Sequence, residues 1–299
     1  MIEIKTKQIV GEQDGPHLLI TGGVHGDEFE PIAAIRQLMD QVQLLRGRLT
    51  LAPVVNEAAF FRGSRTAEDG LDLARVCPGD PNGSVTEQVA HAVSELIRSA
   101  DFYMDLHTGG TELCVLPFAG YKMHTDPKIL EHQRAMARAF NLPIIWGTHP
   151  GLDGRTLSIA RDAGIPAIYA EYLGAATICP AGVTAYVDGC LNVMGYLEML
   201  NREPPASRVE TVVEDSRPKS GFMQICHPAP MTGFFDAAVR LGDRIEQGDT
   251  LGTVCDILGA EKQTVVADKS GIVLVLHTFC RVREGTGLAV ILETDHNLV

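Results

Sequence analysis

The chain contains no apolar run near the ~18 uninterrupted residues of a membrane span. Its first residues, Met1-Ile2-Glu3-Ile4-Lys5, also lack the basic-then-apolar pattern of a signal peptide, so the expectation is a cytoplasmic protein with no membrane partner. Positive charge is scarce. Lys and Arg number 25 against 38 Asp and Glu, a formal net charge of −13, which disfavours nucleic acid because phosphate binding needs clustered cations. An anionic small molecule is not excluded, since a few arginines inside a pocket set the potential there. Cys-x-x-Cys pairs are absent, and seven cysteines, an odd number, argue against a disulfide framework or a cysteine-built zinc site.

Apolar residues are plentiful: 45% of 299 residues is enough to bury a substantial core, in one large domain plus a small one. The first two hundred residues alternate apolar strands with helical patterns, as an α/β fold with a mostly parallel sheet requires. Strands are expected at 17–22, 48–55, 101–106, 112–118 and 166–171, and helices at 29–45, 86–99, 127–140, 155–163 and 183–201. The long stretch 56–85 has no evident regular structure, and a loop of that length is usually functional. After Arg202-Glu203-Pro204-Pro205 helical periodicity stops, and short β-runs punctuated by glycine follow. The expected division is a catalytic domain over 1–205 and a small C-terminal all-β domain over 206–299.

Within the first part, the run Leu18-Leu19-Ile20-Thr21-Gly22-Gly23-Val24-His25-Gly26-Asp27-Glu28 ends an apolar strand in two glycines and releases a histidine and a carboxylate three residues apart. That spacing brings an imidazole nitrogen and a carboxylate oxygen to one ion, which makes half of a zinc site. The best candidate for a third ligand is His107, in Asp101-Phe102-Tyr103-Met104-Asp105-Leu106-His107-Thr108-Gly109-Gly110, again a short apolar strand ending in histidine before a glycine pair. Taken singly, His-x-x-Glu also arises by chance, and Asp-x-His at a strand end also describes a hydrogen-bonded turn histidine. Their shared context, the C-terminal end of an apolar strand, is where open α/β sheets place ligands. Two His and one Glu leave zinc a vacant position, as catalytic sites do.

In the C-terminal part, Gly242-Asp243-Arg244-Ile245-Glu246-Gln247-Gly248-Asp249 and Ala267-Asp268-Lys269-Ser270-Gly271-Ile272-Val273 resemble the flattened barrel-sandwich of biotinyl and lipoyl carrier domains. Asp268-Lys269 looks like the Asp-Lys that holds lipoate, but it falls away from the hairpin that carriers modify. The segment is expected to serve as a lid or as an assembly surface for a homo-oligomer.

Together with His25, Glu28 and His107, the segment Pro53-Val54-Val55-Asn56-Glu57-Ala58-Ala59-Phe60, then Arg62, Arg65, Asp69-Gly70-Leu71-Asp72-Leu73-Ala74-Arg75 and Cys77-Pro78-Gly79, and the late Gly164-Ile165-Pro166-Ala167-Ile168-Tyr169-Ala170-Glu171-Tyr172-Leu173-Gly174, resemble the succinylglutamate desuccinylase/aspartoacylase family of zinc carboxypeptidase-like amidohydrolases. The resemblance spans most of residues 15–175 and lies in the ordered set of motifs. It implies a carboxypeptidase-like mixed sheet flanked by helices, one zinc ion per chain held by His25, Glu28 and His107, and Glu171 as catalytic glutamate. It further implies that Arg65 polarises the scissile carbonyl and that Arg75 grips a substrate carboxylate, with Arg62 a competitor for the first role. Arg155 and Arg161 are candidates for a further anion contact. The chemistry is apt: a partly desolvated carboxylate has a raised pKa suited to proton shuttling, and a guanidinium binds a carboxylate with two bonds.

The chain departs from the family at Asp72-Leu73-Ala74-Arg75, where the usual reading is Asn-Leu-Asn-Arg. The amide that helps to bind an α-carboxylate is gone at Ala74, and Asp72 is expected to contact substrate with a negative charge that suits a cationic end. The resulting expectation is a zinc-dependent amidohydrolase acting on an N-acyl amino acid or similar small amide. Competing readings are a zinc carboxypeptidase acting on peptides and a non-catalytic metal-binding or carrier protein. A cleft narrowed by the β segment would favour small amides over peptides.

Overall fold

Successive residues of one short run enter different cores: Leu18 and Ile20 pack on one side of a sheet, Leu19 on the other. A strand buried on both faces reads as a continuous apolar run, and it needs helices above and below. The computed structural model describes residues 2–223 and 226–294. It begins with β1 (Lys7–Val10), β2 (Gln13–Thr21), α1 (Phe29–Gln41), β3 (Arg46–Ala52), α2 (Glu57–Arg62), α3 (Leu73–Val76) and α4 (Val85–Arg98). Then come β4 (Phe102–His107), β5 (Leu113–Lys122), α5 (Pro127–Phe140), β6 (Ile144–Thr148), α6 (Thr156–Asp162), β7 (Ala167–Gly174) and α7 (Pro180–Tyr196). Beyond them lie β8 (Thr211–Asp215), β9 (Gly233–Ala237), β10 (Arg244–Ile245), β11 (Thr250–Cys255), β12 (Lys262–Val266), β13 (Gly271–His277), β14 (Arg281–Val282) and β15 (Ala289–Leu292).

Among the described residues, an eleven-stranded sheet runs β1-β3-β2-β4-β7-β5-β13-β10, with β6 bridging β5 and β8 and with β15 beside β13. Strands β3, β2, β4 and β7 are parallel neighbours, whereas β5 runs antiparallel to β7, so the sheet is mixed. Helices α1, α5 and α7 cover one face around Leu38, Phe140 and Tyr186. On the other face α3, α4 and α6 pack around Leu73, Val93 and Leu157.

The expected strands and helices are present to within several residues at their ends. Missing from the expectation were β1, β6 and the two short helices α2 and α3, which interrupt the 56–85 stretch. The stretch after 205 interlocks with the rest. β8 pairs with β6, and β13 pairs with β5 at Val275↔Val115. A separate four-stranded sheet, β12-β11-β9-β14, completes the C-terminal part around Phe235, Leu251 and Val254. No helix among the described residues is long and apolar enough to cross a membrane, and all seven cysteines are unpaired.

Candidate active site

His25, Glu28 and His107 gather at the C-terminal ends of β2 and β4, and Glu171 joins them from β7. His25 lies in the β2–α1 connection, Glu28 is the N-cap of α1, and His107 is the last residue of β4. Gly26 allows this connection to sit against α2, since a Cβ there would stand 2.0 Å from the Ala59 carbonyl carbon. In the parallel β4–β7 register His107 is level with Glu171.

All four side chains are buried. His25 Nδ1 is 2.7 Å from Glu28 Oε1 and His107 Nδ1 is 2.9 Å from Glu28 Oε2, so both imidazoles turn the same nitrogen toward one carboxylate. One ligand atom from each of the three residues lies within 4.8 Å of the others. The outward nitrogens have partners too: His25 Nε2 is 3.0 Å from Asp72 Oδ1, and His107 Nε2 is 3.0 Å from Asp105 Oδ2. A carboxylate behind each imidazole fixes its orientation and raises its basicity, the support that metal-ligating histidines usually have. Asp105 is itself held by a 2.7 Å bond from Thr21 and by Thr156. The Tyr186 hydroxyl donates to the backbone carbonyl of His107, anchoring the end of β4 to α7.

Charge shapes these groups. Burial disfavours ionised Glu28, but His25 and His107 outweigh it and hold the carboxyl well below its usual range. Burial also opposes an imidazolium at His107, and Asp105 with Glu28 reverses that and raises it. Glu171 goes the other way: burial pushes its carboxyl up to about 7, helped by the charge of Glu28 and opposed by His107. Its Oε2 is buried with no hydrogen-bond partner among the described residues.

A cavity of about 830 Å³, solvent at its mouth included, opens over these residues, and Arg65, Arg75 and Arg155 line it. Arg65 donates from Nε and Nη2 to Asp72 Oδ2 at 3.2 and 3.0 Å, and its Nη1 is 3.8 Å from Glu28 Oε1. Arg62, its competitor by sequence, turns away to the Ala67 carbonyl. Arg75 follows Ala74 on the cavity wall, and its guanidinium bonds the Ala74 carbonyl at 2.6 Å. Of the two later candidates, Arg155 enters the cavity, whereas Arg161 is taken up by Asp153 and Asp162.

Asp72, expected as a substrate contact, stands between His25, the Ala74 amide and Arg65. One oxygen meets His25 and caps α3 at the Ala74 amide, the other binds Arg65, and the residue is not part of the cavity lining. Its negative charge is neutralised by Arg65 and held behind His25. Sequence reasoning missed Asp105 as a partner of His107, although Asp-x-His on a strand puts both side chains on one face. It also missed Lys122, at the end of β5, for which no local pattern gives a signal. In the C-terminal part, Val275 and Met223 form cavity wall, while Lys269 is paired with Glu293 at 3.2 Å and Asp268 with His227 at 2.9 Å.

These features make a buried His-Glu-His cluster with a nearby carboxylate on a mixed α/β sheet. Residues 14–197 match the model of the succinylglutamate desuccinylase/aspartoacylase catalytic domain. The chain belongs to the succinylglutamate desuccinylase/aspartoacylase family. It is 30% identical to the N-alpha-acetyl-L-2,4-diaminobutyric acid deacetylase of Halomonas elongata over 97% of this chain and 86% of that protein. Among solved structures, a succinylglutamate desuccinylase/aspartoacylase from Rhodobacter sphaeroides superposes with a TM-score of 0.87 at 27% identity, covering 99% of this chain and 90% of the other. The product-bound ectoine utilization protein EutE (DoeB) from Ruegeria pomeroyi gives 0.85 at 27% identity, covering 96% and 88%.

Proposed function

We propose that the chain is a zinc-dependent deacylase that hydrolyses the amide bond of a small N-acyl amino acid, using one ion per chain. The observation that carries this reading is the pair of inward Nδ1 atoms around Glu28, each imidazole backed by its own aspartate, beside a buried carboxylate oxygen of Glu171 with no hydrogen-bond partner among the described residues. Two imidazoles and a carboxylate are a donor set suited to zinc with a position left open. The deacetylase activity named for the Halomonas relative supports the reaction class.

His25, Glu28 and His107 would hold the ion, which when bound supplies Lewis acidity that polarises a carbonyl and acidifies water. Glu171, near its midpoint at neutral pH, takes a proton from the attacking water and returns it to the leaving amine. Arg65, fixed by Asp72, offers positive charge to the oxyanion that forms on the substrate. Arg75 orients the substrate through its carboxylate. Val275 and Met223 wall the cavity from the C-terminal side, which favours a small amide over a peptide.

Two measurements test this. Zinc-loaded protein is expected to release amine from members of a panel of N-acetyl, N-succinyl and N-formyl amino acids, and a panel left intact would contradict the reading. In His25→Ala and His107→Ala, bound zinc and activity should both be lost; full zinc occupancy in either variant removes that residue from the ligand set.

A further inference from the structure

Beside Glu171 the cavity wall is aromatic, and strand register puts it there. In the antiparallel β5–β7 pair, Phe118 stands opposite Glu171 and Gly120 opposite Tyr169. Side chains two residues apart on a strand share a face, so Tyr169 points to the same side as Glu171, about 7 Å from it along β7 at ~3.3 Å per residue. Tyr169 lines the cavity. Its ring crosses from β7 over β5, where a Cβ at position 120 would stand 2.3 Å from Cε1 and 2.8 Å from the hydroxyl oxygen. Because Gly120 has no side chain, the ring is seated against the β5 backbone.

The ring is also braced from the side. Phe118 meets it edge-on, with centroids 5.4 Å apart and planes at 89°, and Trp146 meets Phe118 in turn at 5.7 Å. Edge-to-face rings at such distances are a favoured packing, and Phe118 is fully buried, so it has nowhere to retreat. A buried tyrosine hydroxyl usually finds a partner, yet that of Tyr169 makes no hydrogen bond to another described residue. Packing alone therefore sets where the ring lies. Burial and the charge of Glu171 push the phenol above its usual range, against Arg155, so the surface it offers to the cavity is uncharged.

We propose that the Tyr169 ring, seated over Gly120, is the length gauge of the cavity: it stops the side chain of the substrate's amino-acid half and so sets the longest one accepted. The proposal rests on the deacylase reading and deepens it. In that reading Glu171 returns a proton to the leaving amine and Arg75 holds the substrate carboxylate, so the amino-acid half lies on the Glu171 side of the scissile carbonyl. Tyr169 precedes Glu171 on that face of β7. The acyl half leaves the carbonyl carbon in the opposite direction. A braced, uncharged ring discriminates by overlap and not by charge, and an apolar wall of this kind separates substrates that differ by one methylene about 10–200-fold.

The test uses zinc-loaded wild type, Tyr169→Phe, Tyr169→Ala and Gly120→Ala with two series of neutral side chains and acyl groups. One is the N-acetyl derivatives of alanine, 2-aminobutyrate, norvaline and norleucine; the other is N-acetyl-, N-butyryl- and N-hexanoylalanine. For wild type, kcat/KM should fall about tenfold or more at one step of the first series, where the side chain reaches the ring. Tyr169→Ala should move that step toward longer side chains and raise the norleucine-to-alanine ratio of kcat/KM about tenfold, whereas Tyr169→Phe should keep the wild-type profile. Gly120→Ala, which crowds the ring from behind, should move the step toward shorter side chains. A merely structural role would lower activity on every substrate alike and move no step. The absence of a step in wild type, an unmoved step in Tyr169→Ala or Gly120→Ala, an equal shift in Tyr169→Phe, or a shift confined to the acyl series would overturn the proposal. If no substrate is hydrolysed, the deacylase reading fails separately, and calorimetric binding of the four free amino acids still decides: a length limit that relaxes in Tyr169→Ala supports the gauge, and an unchanged length dependence refutes it. Should Tyr169→Ala not fold, Tyr169→Leu, smaller than tyrosine but still apolar, carries the same comparison.

Discussion

Asp105 and Asp72 illustrate how much of the site lies one bond behind the groups that would touch a metal. Each holds the outer nitrogen of one histidine, and each is held in turn, Asp105 by Thr21 and Thr156, Asp72 by Arg65 and the Ala74 amide. Removing the charge at Asp105 while keeping its size is the informative change. Asp105→Asn should lower zinc affinity by about 10–100-fold, the usual cost of losing such a partner, and a chelator-competition titration measures it. Unchanged affinity would make Asp105 a purely structural buried acid. The three proposed ligands were legible in the sequence because each is a local pattern, a histidine or carboxylate released by glycine from a strand. Of their partners, Asp105 left a local signal two residues before His107 on the same strand, whereas Asp72 did not, since it is 47 residues from His25 and meets it only through the fold. The same holds for choosing Arg155 over Arg161 and for Lys122, whose burial depends on the turn that supplies the Leu152 carbonyl.

At the scale of elements, β5 and β7 carry the most chemistry. Their antiparallel contact places Glu171, Tyr169 and Lys122 on one face, and it closes only because position 120 has no side chain. Gly120→Ala should therefore destabilise the protein by about 1–3 kcal/mol, the usual cost of overpacking, visible as a lowered denaturant midpoint. A fully stable variant would mean that Tyr169 can turn aside and is not a fixed wall. The long periodic helices and apolar strands were readable, because 3.6-residue and continuous apolar patterns are strong over ten residues or more. Helices α2 and α3, of 6 and 4 residues, are too short to show a period. β6, Ile144-Ile145-Trp146-Gly147-Thr148, is a short apolar run whose identity as a strand comes from pairing with β5 and β8.

Across the whole molecule, the C-terminal segment is woven into the sheet that bears the site. β13 hydrogen-bonds to β5, and Leu274 and Val290 share a core with Phe118 and Trp146. Sequence composition announced a change of character near residue 205, but strand pairing is non-local, and no pattern in β13 says which strand it will join. The consequence is functional: the cavity that begins at His25 and Glu28 is closed by Val275 and Met223.

All of this bears on one claim, that a metal cluster of His25, Glu28 and His107 works with Glu171 as a proton carrier that is not itself a ligand. The most direct measurement is zinc content and kcat determined on the same preparation of Glu171→Gln. The account predicts zinc equal to that of the wild type with kcat lowered at least ~10²-fold, the low end for a positioned acid-base group. Near-normal turnover would contradict the catalytic role, and loss of zinc would move Glu171 into the ligand set.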